Sequence, residues 1–173
     1  MNDSLVAGPA DHLAISVADF EGMTDWYKKT FGLREDVADR LDIPEVGIKG
    51  SLLMGPNGFR LEILWREGSQ RHSGGHSDPT AAVLDRGYLH WGFLVSDLET
   101  ALDRLGAAGA KITHPKDTLP SHNVRFAIFE DPEGNMIEII EPVAGNPNAA
   151  GRWSRLRYHQ AVNGVTTELD DDD

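Results

Sequence analysis

Two histidines and two glutamates stand at matching places in a chain that repeats itself. His12 opens the run His-Leu-Ala-Ile-Ser-Val-Ala-Asp, and His90 opens His-Trp-Gly-Phe-Leu-Val-Ser-Asp, with Val and Asp at the same offsets. Glu62 closes Pro-Asn-Gly-Phe-Arg-Leu-Glu, and Glu138 closes Pro-Glu-Gly-Asn-Met-Ile-Glu. His12 and Glu62 are 50 positions apart; His90 and Glu138 are 48 apart. Such spacing points to one module of about 55 residues used twice. A carboxylate between Leu61 and Ile63, or between Ile137 and Ile139, is costly in an apolar strand unless it has a partner. Taken singly, each of the four fits a solvated strand acid or a hydrogen-bonded histidine. Their joint repetition has no evident folding role and favours metal ligation. Two imidazoles and two carboxylates make an N2O2 donor set for one divalent ion: nickel, cobalt, zinc, manganese or iron(II). Two octahedral positions are left for water or substrate oxygens.

The elements that must position these groups follow the same repeat. Apolar runs at 12–18 and 88–95 read as strands, each ending at an acid, Asp19 or Asp97, suited to cap a helix N-terminus. Phe20, Met23, Trp26, Tyr27 and Phe31 keep helical spacing up to Gly32; Leu98, Ala101, Leu102, Leu105 and Ala108 do so up to Gly109. Strands are then expected at 33–40, 45–54 and 58–66, and at 110–113, 123–130 and 134–141. Turns at Asn57-Gly58 and Glu133-Gly134-Asn135 join the last two of each set. The fold class is α+β, two βαβββ modules at 10–66 and 86–142. Residues 67–87, rich in Gly, Ser and His, read as a linker or a lid, where His72 and His76 lie. His114-Pro115 and Ser121-His122 are placed in a loop, a common location for substrate contacts. In the 143–173 extension, Trp153, Leu156 and Gln160 suit one face of a short helix. Arg152, Arg155 and Arg157, with Trp153 and Tyr158, would pack on a partner subunit, cover the site entrance or pair with the acidic tail.

Composition narrows the partners. Sixteen Lys and Arg against 28 Asp and Glu give −12, and five of those acids lie in the last six residues, leaving −7 on the rest. That field works against nucleic acid and anionic membrane. With no cysteine, thiolate nucleophiles and thiolate metal sites are excluded. The N-terminal segment has neither a basic nor an apolar stretch, and no run approaches the roughly 18 apolar residues of a membrane span, so a cytoplasmic location is expected.

The segments DHLAISVADF, WYKKTFGL, HWGFLVSDLETALDRLGAAGAKI and FEDPEGNMIEIIEP, within about residues 10–142, resemble the vicinal oxygen chelate superfamily. Its members include glyoxalase I, methylmalonyl-CoA epimerase, extradiol dioxygenases and the bleomycin- and fosfomycin-resistance proteins. The resemblance implies sheets curved into a cup around one divalent ion, with His12, Glu62, His90 and Glu138 as ligands, and a homodimer. It also implies Glu62 and Glu138 as proton-transfer groups, with Glu45, seventeen residues before Glu62, as a reserve base matching the epimerase pattern. Extradiol dioxygenases carry a Tyr where this chain has Ile128, and a His near position 75, close to His76. Glyoxalase I binds glutathione through an Arg and an Asn where this chain has Ser16 and Arg66. Arg66, His76 and His122 are the candidate substrate contacts. The reading these residues favour is a metal-dependent isomerase or epimerase. It would move a proton next to a carbonyl of a small metabolite (a cyclic ketone, an α-hydroxyketone or an acyl thioester) through a metal-stabilised enediolate. The alternatives are a glyoxalase-I-like lyase, an iron(II) ring-cleaving dioxygenase and a non-catalytic drug-binding resistance protein.

Overall fold

A computed structural model describes residues 11–55, 58–71, 78–84, 86–119 and 124–142. The chain divides between Gln70 and Arg71 into two units. In the first, β1 (Leu13–Ser16) leads to α1 (Phe20–Phe31), then β2 (Arg34–Ile43), β3 (Ile48–Met54) and β4 (Arg60–Arg66). In the second, α2 (Pro79–Ala82) precedes β5 (Trp91–Leu94), α3 (Leu98–Ala107), β6 (Lys111–Leu119), β7 (Val124–Glu130) and β8 (Met136–Pro142). The sheet orders are β1-β4-β3-β2 and β5-β8-β7-β6. In each sheet the first two strands run parallel and the other pairs antiparallel. The α+β class and its mixed sheets are as the sequence suggests.

The helices start and stop where side chains allow. Asp19 Oδ1 accepts the Gly22 N–H at 3.0 Å, and Asp97 Oδ1 accepts the Thr100 N–H at 2.8 Å, each satisfying a donor of the first turn. Gly32 ends α1 in the left-handed region, φ 66°. After α3 the Ala110 N–H reaches the Leu105 carbonyl and the Gly109 N–H the Gly106 carbonyl. This pattern needs a positive φ, which Gly109 supplies at 84°. Phe20, Met23 and Tyr27 on α1 are buried, as are Leu98 and Leu105 on α3. Alternate strand residues meet the helices: Leu53, Leu61 and Ile63 in the first unit, Ala127, Phe129, Ile137 and Ile139 in the second, all at most 1% exposed. Period two then sends Glu62 and Glu138 to the opposite face of each sheet.

Three boundaries differ from expectation. β2 extends to Ile43, and the Pro44–Gly47 turn separates it from β3, which starts at Ile48. β6 does not stop at 113. It continues through His114 and Pro115 to Leu119 with two register shifts, so His114 lies in a strand rather than a loop. Proline lacks an N–H, but β6 is at the edge of its sheet and irregular there, where the missing donor costs little. The 67–87 stretch holds the short helix α2, whose buried Ala82 packs with Ile128 and Met136, flanked by Leu89 and Phe126. Among the described residues no helix is long and apolar enough to cross a membrane. His72, His76, Ser121, His122 and the 143–173 extension lie outside the described residues.

Candidate metal-binding face

In the first unit, parallel pairing sets Ala14 beside Glu62, and His12, two residues before Ala14, falls on the same face. His12 Nε2 stands 3.5 Å from Glu62 Oε2. In the second unit Gly92 pairs with Glu138, and His90 Nε2 stands 3.4 Å from Glu138 Oε2. The short Ala14 and Gly92 leave each carboxylate uncovered by its strand neighbour; a Cβ at Gly92 would stand 3.5 Å from Glu138 Oε2. The strands thus bring together both members of each pair that the repeat suggested.

The two pairs are supported differently. His12 Nδ1 meets Asp11 Oδ2 at 2.9 Å, and Asp11 Oδ1 accepts from Arg60 Nη1 at 2.8 Å. The hydrogen bond from His12, then the charge of Arg60, hold the Asp11 carboxyl below its ordinary range. A carboxylate on Nδ1 orients the ring and leaves Nε2 as the nitrogen that faces Glu62. Asp11, which directly precedes His12, is not among the residues that the repeat singles out. Before His90 the corresponding residue is Leu89, which packs against Ala82, Ile128 and Met136. The His90 and Glu138 side chains are 28% and 22% exposed, against 42% and 28% for His12 and Glu62, so the second pair is the more enclosed.

Each separation, taken within its own unit, is one that two ligands of a metal ion can adopt. They exceed the 2.7–3.2 Å of a good N–H···O bond. Donors about 2.1 Å from a metal stand roughly 3.0–3.4 Å apart across an octahedral or tetrahedral edge. Among the described residues no group of three or more His, Cys, Asp or Glu is placed to hold a metal ion, and each unit presents one His–Glu pair. Glu45 sits exposed in the Pro44–Gly47 turn, and Arg66 is exposed at the end of β4, four residues beyond Glu62. Ile128, 6% exposed, lies directly beside Glu138 in the β7–β8 pairing.

Comparisons with known proteins agree on the ancestry. Residues 10–139 match the model of the Glyoxalase/Bleomycin resistance protein/Dioxygenase superfamily. An ethylmalonyl-CoA/methylmalonyl-CoA epimerase from Cereibacter sphaeroides is 30% identical over 139 residues, covering 76% of this chain and 96% of that one. A probable chloroplastic lactoylglutathione lyase from Arabidopsis thaliana is 23% identical over 133 residues, 75% of this chain and 35% of that one. A glyoxylase/bleomycin resistance protein/dioxygenase domain from Frankia sp. EAN1pec superposes with a TM-score of 0.64 at 21% identity, covering 84% of this chain and all of that one. With its repeated His–Glu strands and a family match over three quarters of its length, this chain belongs to the Glyoxalase/Bleomycin resistance protein/Dioxygenase superfamily.

Proposed function

We propose that this protein is a divalent-metal-dependent epimerase or isomerase that moves a proton next to a carbonyl of a small metabolite. The observation that carries the reading is the duplicated His–Glu pair, 3.5 Å apart in one unit and 3.4 Å in the other. His12 and Glu62 of the first unit and His90 and Glu138 of the second are the residues that would ligate a divalent ion. When bound, that ion supplies coordination for two substrate oxygens and stabilises negative charge developing beside the carbonyl. His12 is oriented by Asp11, whereas His90 follows Leu89, which packs against Ala82, Ile128 and Met136. A glutamate within reach of the acidic C–H accepts its proton, and the second glutamate returns one to the same carbon. The proton count closes with no oxidant or reductant, and inversion at that carbon is the outcome. Glu45, on its exposed turn, is the weaker candidate for base. The epimerase relative supports this class, and Ile128 weighs against the ring-cleaving alternative, because no phenol stands beside Glu138 there. Lyase chemistry would need the same proton abstraction, so it is the second reading. We further propose a homodimer, consistent with the exposed apolar side chains of Val83, Leu84 and Tyr88, and sedimentation velocity at micromolar concentration checks it.

The test is solvent exchange. Metal-loaded protein is incubated in D2O with α-hydroxyketones, cyclic ketones and acyl thioesters, and deuterium next to the carbonyl is read by NMR and mass spectrometry. We expect metal-dependent uptake, reduced at least about 100-fold in Glu62→Gln and Glu138→Gln. Absence of uptake from every class, or oxygen consumption on a catechol, would reject the proposal. Elemental analysis, with His90→Ala and Glu138→Ala as controls, separates loss of metal from loss of chemistry.

A further inference from the structure

The stretch that leads into β5 is fastened, lightly, to the face that carries Glu138. Arg71 Nη2 donates to the Gly134 carbonyl in the β7–β8 turn at 2.7 Å, in an exposed position. The guanidinium lies so close to Gly134 that a Cβ there would meet Nη1, Nη2 and Cζ at 2.5–2.7 Å, and Gly134 itself stands at φ 83°. Only glycine leaves this seat open. Eleven residues after Arg71, Ala82 of α2 is buried against Ile128 and Met136, and Leu89 packs on the same cluster. Met136 follows Gly134 by two residues, so Arg71 and Ala82 grip neighbouring points of one hairpin. Ile128 pairs directly with Glu138 across β7 and β8, and Met136 lies two residues before Glu138 on the same face of β8. α2 therefore covers the side on which Ile128 flanks Glu138.

This cover is weakly anchored. α2 has four residues, with the Ala82 N–H on the Asp78 carbonyl at 2.9 Å and the Leu84 N–H on the Ala81 carbonyl at 3.0 Å. One turn of helix does not form by itself, because nucleation fixes several residues for one hydrogen bond, so α2 persists only while Ala82 is docked. The next apolar side chains, Val83, Leu84 and Tyr88, are 68%, 82% and 104% exposed and add no hold on this sheet. β7 and β8, by contrast, share an unbroken antiparallel ladder and bury Ala127, Phe129, Ile137 and Ile139. That contrast separates a segment that opens locally from one that opens only with the whole fold. Arg71 biases α2 toward the docked state: with both ends tied to one hairpin, the loop from 71 to 82 has less freedom to lose when Ala82 docks.

We propose that α2 is a gate on the Glu138 face, latched by Arg71 on Gly134, and that its opening admits solvent and ligands beside Glu138. What the gate serves rests on the reading of Glu138 as a metal ligand; the opening itself is read without metal. Met136 reports it, being 8% exposed beneath Ala82, with Met23 of α1, 3% exposed, and Met54 of β3, 39% exposed, as internal references. The full chain is treated with dilute hydrogen peroxide, methionine sulfoxide is followed by peptide mass spectrometry, and amide exchange of Ala82 and Leu84 is followed by NMR. In wild type these two amides should exchange at least about 100-fold faster than the ladder amides of β7 and β8. Arg71→Ala should raise Met136 oxidation and α2 exchange about tenfold, with Met23 and the β8 amides unchanged. Arg71→Lys, which can still donate to the carbonyl, should raise both by less. Ala82→Asp, which puts a charge into the cluster, should open α2 with Arg71 in place. Wild-type α2 amides as slow as those of β8, Met136 oxidation unmoved in both Arg71→Ala and Ala82→Asp, or an equal rise at Met23 and Met136 would each overturn the proposal. In zinc-loaded protein, release of zinc to a chelator should quicken in Arg71→Ala by a similar factor; unchanged release beside raised Met136 oxidation would overturn the gate. Failure of wild type to bind zinc, with Met136 responding as expected, would overturn the metal reading and leave the opening of α2 standing.

Discussion

The two units share strand order and a His–Glu pair, yet the residues that stand beside the two histidines differ in kind. In the first unit, charge does the supporting: Asp11 orients His12, and on the helix side of the sheet Glu35 collects Arg40, Ser51 and Lys28 at 2.7–3.1 Å. Arg40 also bonds Glu21 of α1, fastening the edge strand β2 to the helix. In the second unit the neighbour of the histidine is apolar instead: Leu89 packs with Ala82, Ile128 and Met136. Away from the pair this unit has its own charge cluster, in which Glu99 of α3 takes Lys116 Nζ of β6 at 2.7 Å and Arg125 Nη1 of β7 at 3.0 Å, and both edge strands, β2 and β6, carry register shifts. A duplicated module therefore keeps the geometry that serves the chemistry and is free to vary what braces it.

The largest break in that comparison is expected at Glu35. Burial opposes ionisation of this carboxyl, but the hydrogen bonds from Arg40, Ser51 and Lys28 outweigh it and hold it at about 2. The folded value lies below the ordinary 4.5. The associated stability is therefore fully present above about pH 5 and lost as pH falls from there toward 2, on the order of 3 kcal/mol. Urea unfolding of Glu35→Gln should show this deficit at pH 7 and little deficit near pH 2.5; a deficit independent of pH would refute the assignment. Glu130 of the second unit is equally enclosed, 8% exposed against 7%, but among the described residues takes one hydrogen bond, from Lys111. Glu130→Gln should accordingly cost less than Glu35→Gln.

Next in size is the support of the histidines. Carboxylates hydrogen-bonded to ligating imidazoles commonly change metal affinity 10–100-fold. Asp11→Asn keeps the side chain's size and removes the charge, so divalent-ion affinity measured by competition with a chelating dye should fall about tenfold. Leu89→Asn disturbs packing instead, and should lower the melting temperature with a smaller change in affinity. Equal effects of the two substitutions on affinity would erase the proposed difference between the units.

Much of this architecture is written in the repeat. Paired Asp caps, helical periodicity and Gly stops located both helices, and the position of Glu62 and Glu138 inside apolar strands marked the residues that face away from the helices. The repeat could not reveal what differs between the copies. Pro115 signals a break in any sequence, so the continuation of β6 to Leu119 was hidden, because only the edge position of that strand makes the proline harmless. The Glu35 cluster was invisible because its members, Lys28, Glu35, Arg40 and Ser51, come from three elements and meet only when the sheet folds against α1. Asp11 has no counterpart in the repeat, and its second oxygen is held by Arg60, 49 residues later, a partner that only the folded sheet supplies.

The smallest effects should come from the helix starts, where the residue that donates to the cap is Gly22 in one unit and Thr100 in the other. Asp19 and Asp97 each accept an N–H three residues on, from Gly22 and from Thr100. Asp19→Ala and Asp97→Ala should each cost about 1 kcal/mol in chemical denaturation. At Gly22 an added Cβ would stand 2.1 Å from Asp19 Oδ2, which at first sight forbids any substitution. Yet Thr100 carries a Cβ at the equivalent place, and Asp97 still caps α3. The carboxylate is the free end of a short, rotatable side chain, so Asp19 can turn as Asp97 does. Replacing Gly by Ala inside a helix gains up to about 1 kcal/mol, against the cost of that turn. Gly22→Ala is therefore expected to lie between neutral and about 0.5 kcal/mol more stable in the same denaturation series. A loss as large as that of Asp19→Ala would mean that the first helix, unlike the second, depends on glycine for its cap.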